Sequence, residues 1–138
     1  IKFRRVDGGT PKYIYPTGKK VCMFYVVDLH TDSPVIAVCE GELDTLVMSG
    51  IVGVPAIGVA GVSQWKPHFP IMLEGKERVI IFADNDVKED GRNPGMELAK
   101  RIKEDVDRAV IINLPDNKDV NQVYLELGKE WLYERAMG

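Results

Sequence analysis

The stretch VCEGELDTLVMSG, residues 38–50, closes an apolar run, sets Glu40 and Asp44 on either side of Gly41, and opens a run with helical spacing. An apolar segment that stops at a carboxylate and passes straight into a helical pattern reads as a strand-to-helix corner. A glycine there permits a tight turn and leaves the backbone accessible, so Glu40 is expected at the mouth of the corner rather than in the core. Asp44 lies one helical turn further on and is expected to face the same opening. The plainer alternative is that Glu42 and Asp44 only complement a helix N-terminus.

Working outward, the same rhythm recurs. VIAVC (35–39), PAIGV (55–59), RVIIFA (78–83) and AVIIN (109–113) read as strands, uniformly apolar as strands covered on both faces are. Between them, 42–49 and 95–108 repeat apolar residues at three and four (Met96, Leu98, Ala99, Ile102, Val106), and 121–137 reads as one or two more helices. Pro67 and Pro70 limit 61–76 to a short helix and loop. Residues 1–28 carry the extended stretches IKFRRV and KYIY around the turn signal DGG, and then a third, VCMFYVV. The expectation is an α/β fold, a parallel sheet flanked by helices with a small N-terminal β-rich basic appendage. The boundaries are drawn at 1–33 for the appendage, 34–127 for the body and 128–138 for a helical extension.

The chain has 138 residues, 45% of them hydrophobic, enough for one domain with its own core. No apolar run reaches the ~20 residues of a membrane span and no leader pattern is visible, so a soluble intracellular protein is expected. Cys22 and Cys39 lack the spacing of a zinc ribbon or a disulfide framework, and reduced thiols are expected. The chain opens on Ile1 amid strand-like residues, which suggests a piece of a longer protein. Its net charge of −3 is uneven: residues 1–20 carry +5 and the remainder −8. A basic lip on an acidic body suits a partner that brings phosphates to one side and metal ions to the other.

Glu40 follows the first of the four strands, and Asp84 and Asp86 follow the third. In open parallel sheets, ligands bind outside the carboxyl ends of the strands, so the three acids are expected to share a site. Carboxylates crowded together raise one another's pKa unless a divalent cation supplies compensating charge. Magnesium suits hard oxygen donors, and two histidines and two cysteines, scattered along the chain, argue against zinc or copper.

EGELD after one apolar strand and a paired-aspartate DxD after another resemble the Toprim (Rossmann-like) domain shared by topoisomerases, primases and some nucleases. Upstream, Pro11, Lys12, Tyr13, Gly18 and Lys19 resemble the PKY and glycine-lysine segment of bacterial and phage primases. Downstream, Lys118, Asp119 and Asn121 stand in the KDxN positions of phage primases. These flanks favour the primase branch. Two departures stand out. VKEDGRNP is inserted after Asp86 where many relatives have a compact DxDxxG, and Asn121 stands where bacterial relatives have aspartate.

The resemblance implies the catalytic core of a DNA primase, joining ribonucleoside triphosphates on a single-stranded DNA template with Mg2+ or Mn2+ in a two-metal site. Glu40, Asp84 and Asp86 are then the catalytic set. Metal ligation falls to Glu40, Asp84 and Asp86, with Asp44 and Asp119 holding a second ion through water. Arg4, Arg5, Lys12, Lys19, Lys20 and Lys118 are the candidates for contacting triphosphate or template backbone. A replicative helicase is implied as a partner through domains absent from this chain, and the KDVN turn leans towards a phage protein working in the host cytoplasm. A metal-dependent Toprim nuclease and a non-catalytic nucleotide- or nucleic-acid-binding module stand as alternatives. Tyr13 and Tyr15 are expected to fill a small core rather than stack on bases, Trp65 and Phe69 to cover the sheet, His68 to lie on the surface, and Cys39 to be buried and inert.

Overall fold

The four apolar runs pair side by side; 35–39, 56–58 and 79–83 are buried on both faces as expected, while 109–113, at the sheet edge, buries Ala109 and leaves Val110 and Asn113 exposed. The computed structural model describes residues 3–18 and 22–138. An antiparallel ribbon comes first, β1 (Phe3–Arg4) against β2 (Tyr13–Ile14). Then β3 (Val35–Cys39), β4 (Ala56–Gly58), β5 (Arg78–Ala83) and β6 (Ala109–Asn113) form a parallel sheet in the order β4-β3-β5-β6. Helices α1 (Glu42–Leu46), α2 (Phe69–Met72), α3 (Pro94–Asp105), α4 (Val120–Leu127) and α5 (Lys129–Met137) flank it.

Alternation along the strands divides the interior into two cores. Ile36 and Val38 of β3 join Val79, Ile81 and Ala83 of β5 beneath Trp65, Phe69, Leu98 and Ile102. Val35, Ala37 and Cys39 join Ile80 and Phe82 on the opposite face, beneath Met48, Val120, Val123 and Leu132. Trp65, Phe69 and Cys39 are therefore buried as expected, and His68 is exposed with its ring edge-on to Phe69 at 4.8 Å. Among the described residues no helix is long and apolar enough to cross a membrane.

Two local expectations are corrected, and one left open between one helix and two is decided. The helix from Glu42 is α-helical only to Leu46 and continues as a wider π-helical turn, Val47–Val52, across Ser49 and Gly50, both weaker helix formers than alanine. The terminal helical run is two helices, broken at Gly128 with φ of 85°. The third extended stretch is not a strand over its described residues, 22–27: among them only Phe24 pairs, in a two-bond bridge with Gly58 (2.8 and 3.0 Å), and Val26–His30 is a 3-10 helix. Within this turn the Asp28 carboxylate accepts the Ala56 N–H at 2.8 Å, satisfying one of the outward-facing amides of β4. Met23 enters the core beside this bridge. The buried ammonium of Lys76 donates to the carbonyls of Thr31 (2.6 Å) and Ser33 (3.0 Å), fastening the end of the same segment.

Candidate active site

From β3 the chain passes through α1 to β4 on one side, then crosses back to β5, from which α3 leads to β6 on the other side. The winding reverses between β3 and β5, and the crevice outside the carboxyl ends of strands at such a point is where open α/β sheets take ligands. Glu40 is the first residue after β3 and Asp84 the first after β5. A cavity of about 570 Å³ opens there, and Glu40, Asp44, Asp84, Asp86 and Asp119 all line it. Lys12 and Lys118 stand in the same walls, as do Tyr13 and Tyr15. The two tyrosines are 36% and 37% exposed, so the expectation that they fill a small core is not met: the ribbon turns them to the cavity instead.

Asp84 is the electrostatic centre. Its Oδ1 is buried without a hydrogen-bond partner, and its carboxyl is pushed up to about 8, first by burial and then by the neighbouring Asp44, Glu40, Asp119 and Asp86. Asp44, 5% exposed, is raised to about 6, mainly by burial, against the opposing effect of the Asn121 N–H that donates to its Oδ1 at 2.8 Å. Glu40 is raised by burial and by Asp44, with Lys88 opposing. Asp86 is exposed and paired with the Lys88 ammonium, which the inserted segment brings over it.

Two close approaches account for glycines at the corners. A Cβ on Gly41 would meet Asp44 Oδ2 at 2.5 Å, so the residue after Glu40 must be bare for Asp44 to fold back on it. A Cβ on Gly95 would stand 2.9 Å from both Cβ and N of Asp84 and closer still to its carbonyl oxygen. Gly95→Ala must therefore shift backbone rather than a flexible side chain. The expected cost is roughly 1–3 kcal/mol, seen as a lower Tm together with weakened Mn2+ binding. Unchanged Mn2+ affinity would show that the position of Asp84 does not matter to the ion.

The remaining candidates are placed less uniformly. Asp119 caps α4 in a reciprocal capping box with Gln122 (2.8 and 2.9 Å), so its carboxylate serves the helix as well as the cavity. Lys118 is ion-paired with Glu126 at 2.8 Å, and the Lys12 ammonium lies 5.7 Å from the Tyr13 ring centre. Arg4 and Arg5 do not line the cavity, and Arg5 is held by the Asp7 carboxylate at 2.6 and 2.9 Å. Lys19 and Lys20 lie outside the described residues. Sequence reasoning missed Asn85, whose side chain bonds to the carbonyl of Leu114 and to Asp116 and Asn93. Its place between two aspartates was visible, but partners up to 31 residues away were not.

Among the described residues, no three side chains of His, Cys, Asp or Glu are gathered closely enough to cage a metal ion by themselves. The donor set nonetheless fits magnesium, which is usually bound by one or two carboxylates with water and substrate phosphates completing the shell. The unpartnered buried oxygen of Asp84 is the group that gains most from a cation. Asp84, Asp86 and Glu40 line the same cavity.

A family model of the Toprim domain matches residues 35–130. The gene 57 protein of Mycobacterium phage D29 is 38% identical over 135 residues, covering 98% of this chain and 84% of the phage protein. A DNA primase domain from Pseudomonas aeruginosa is similar in structure with a TM-score of 0.70 at 16% identity, over 97% of this chain and 44% of that one. A DnaG primase catalytic domain bound to single-stranded DNA gives 0.61 at 19% identity, over 96% and 46%. The chain thus has the fold seen in primase catalytic cores and spans under half the length of these two solved chains.

Proposed function

The chain belongs to the Toprim domain family, and from that premise we propose that it is the metal-binding catalytic part of a primase-type nucleotidyltransferase. Its substrates on this reading are ribonucleoside triphosphates and a single-stranded DNA template. The observation that carries the reading is the unpartnered buried Oδ1 of Asp84, among five further carboxylates, in a cavity whose walls also hold Lys12 and Lys118. Acids alone would repel a triphosphate. Acids that take up divalent cations, beside lysines, attract one.

Asp84 and Asp86 are the primary metal ligands on this reading, and Asp44 and Asp119 support a second ion through water. A bound divalent cation supplies charge neutralisation at the phosphates and acidifies the attacking hydroxyl. Glu40, its pKa already raised by burial and Asp44, is suited to take the proton from that hydroxyl. Lys12 and Lys118 hold phosphate oxygens through charge-assisted hydrogen bonds. Tyr13 and Tyr15 offer ring faces to a base beside them. The buried thiol of Cys39, its pKa raised by the absence of water around it, takes no part.

One gel tests the proposal: the protein with end-labelled single-stranded DNA, labelled ribonucleotides, and Mg2+ or Mn2+. Short new oligoribonucleotides on an intact template are expected. Metal-dependent shortening of the DNA without synthesis would move the chain to the nuclease branch, and neither product would favour a binding module. Lys12→Glu is expected to weaken triphosphate or template binding about tenfold and to reduce its salt dependence by about one released ion. An unaltered salt slope would remove Lys12 from the phosphate contacts.

A further inference from the structure

Asn85 sits between the two aspartates of the site, yet its side chain turns away from the cavity to two other segments. Nδ2 donates to the Leu114 carbonyl at 3.1 Å and to Asp116 Oδ1 at 2.9 Å. Oδ1 accepts from Asn93 Nδ2 at 3.0 Å, and Asn93 Oδ1 in turn accepts the Met96 N–H at 3.1 Å, capping α3. The main chain adds two bonds: Asn85 N–H donates to the Lys118 carbonyl at 3.2 Å, and Asn117 N–H donates to the Asn85 carbonyl at 2.6 Å. Both amide donors and the amide acceptor are thus engaged within the protein.

The far end of these bonds matters to function. Segment 114–118 follows β6 and delivers Lys118 and Asp119 to the cavity wall. Within it Asn117 adopts φ of 58°, a left-handed conformation that asparagine accepts more readily than most residues, and its N–H is the one fixed on Asn85. The loop that carries Asp84 and Asp86 and the turn that carries Lys118 and Asp119 are therefore joined through a single residue. Two sites become energetically coupled when one element is biased by both.

We propose that Asn85 is a positioning residue that links the metal-binding aspartates to the turn bearing Lys118 and Asp119, so that a divalent cation at the first orders the second. The inference rests on the metal-dependent reading above. Asn85 touches no reacting atom and acts through the groups on either side of it. Removing hydrogen-bond partners that orient metal ligands typically lowers metal affinity 10- to 100-fold, about the loss expected here.

The test pairs Mn2+ titration without nucleotide with hydrogen exchange in the presence and absence of Mg2+. In the unaltered protein, Mg2+ is expected to slow exchange of the Asn117 and Lys118 amides. In Asn85→Ala, which loses the side-chain bonds to Leu114, Asp116 and Asn93 but keeps the main-chain bonds, Mn2+ affinity should fall about tenfold, and Mg2+ should no longer slow exchange of those two amides. Asp116→Ala deletes one bond from an exposed side chain and should weaken Mn2+ about two- to fivefold with folding intact. A folded Asn85→Ala that binds Mn2+ as the unaltered protein does, or in which Mg2+ still slows both amides, overturns the inference. Should Asn85→Ala fail to fold, unchanged Mn2+ affinity in Asp116→Ala overturns it instead. An unaltered protein that takes up no Mn2+ overturns the metal reading itself, a result distinct from either.

Discussion

Asp84→Asn combined with Asp86→Asn is expected to abolish magnesium-dependent triphosphate binding, by roughly a hundredfold or more, while leaving the fold intact and the metal-free protein at least as stable at pH 8. The two substitutions remove both primary carboxylates of a site in which Mg2+ relies on one or two of them. They also remove the charges that crowd the cavity: Asp84 is raised to about 8 by burial and by four neighbouring acids, so its ionised form is a strain on the folded state. An enzyme site of this kind gives up stability for function. Isothermal titration with and without Mg2+, alongside thermal melts, reads both effects. Magnesium-dependent binding that survives the double substitution would sink the metal assignment. A large drop in Tm would instead make the two aspartates structural.

The pH dependence of stability gives the second large effect. Asp84 binds its proton more tightly in the folded protein than in the unfolded chain, with a pKa near 8 against the ordinary 3.8, and Asp44 behaves likewise at about 6. Between those limits the folded state holds more protons. Metal-free stability should therefore be fully present below about pH 4 as far as these groups go, and should be lost as pH rises through 6 and then 8. After allowance for water in the open cavity, the loss attributable to Asp84 is about 2 kcal/mol, a fall of several degrees in Tm. Saturating Mg2+ supplies the missing charge, so its stabilising effect should grow across the same window and be small at pH 5. A magnesium effect of equal size at pH 5 and pH 8 would separate the ion from these carboxylates.

Much of the sheet was legible because apolar runs of this kind have few alternatives. VIAVC, RVIIFA and AVIIN became β3, β5 and β6 with the expected bounds, and the period-two division of β3 and β5 between two cores followed from burial on both faces, whereas β6, at the sheet edge, leaves Val110 and Asn113 exposed. Glu40 and Asp84 were legible as strand-end acids, and the order of strands then set them side by side across the reversal of winding. What could not be read was anything decided by contacts distant in sequence. VCMFYVV has strand-like composition, but the chain enters a 3-10 helix at Val26, where the Asp28 carboxylate reaches the distant Ala56 N–H. Tyr13 and Tyr15 alternate like core residues, but among the described residues β1 and β2 pair over two residues each, and both tyrosines face the cavity. Asp44 showed its position without showing that the Asn121 amide would claim one of its oxygens.

The segment that crosses the outer side of β4 has a practical consequence. The family match begins at residue 35, yet Met23, the Phe24 bridge and Asp28 close that flank of the sheet. A protein trimmed to the family boundary would leave the amides of β4 open along a short apolar ribbon, a ready template for a strand from another molecule. Such a chain would self-associate and precipitate and would also lack the Lys12, Tyr13 and Tyr15 wall of the cavity, so a failed assay on it would say nothing against the acids that remain.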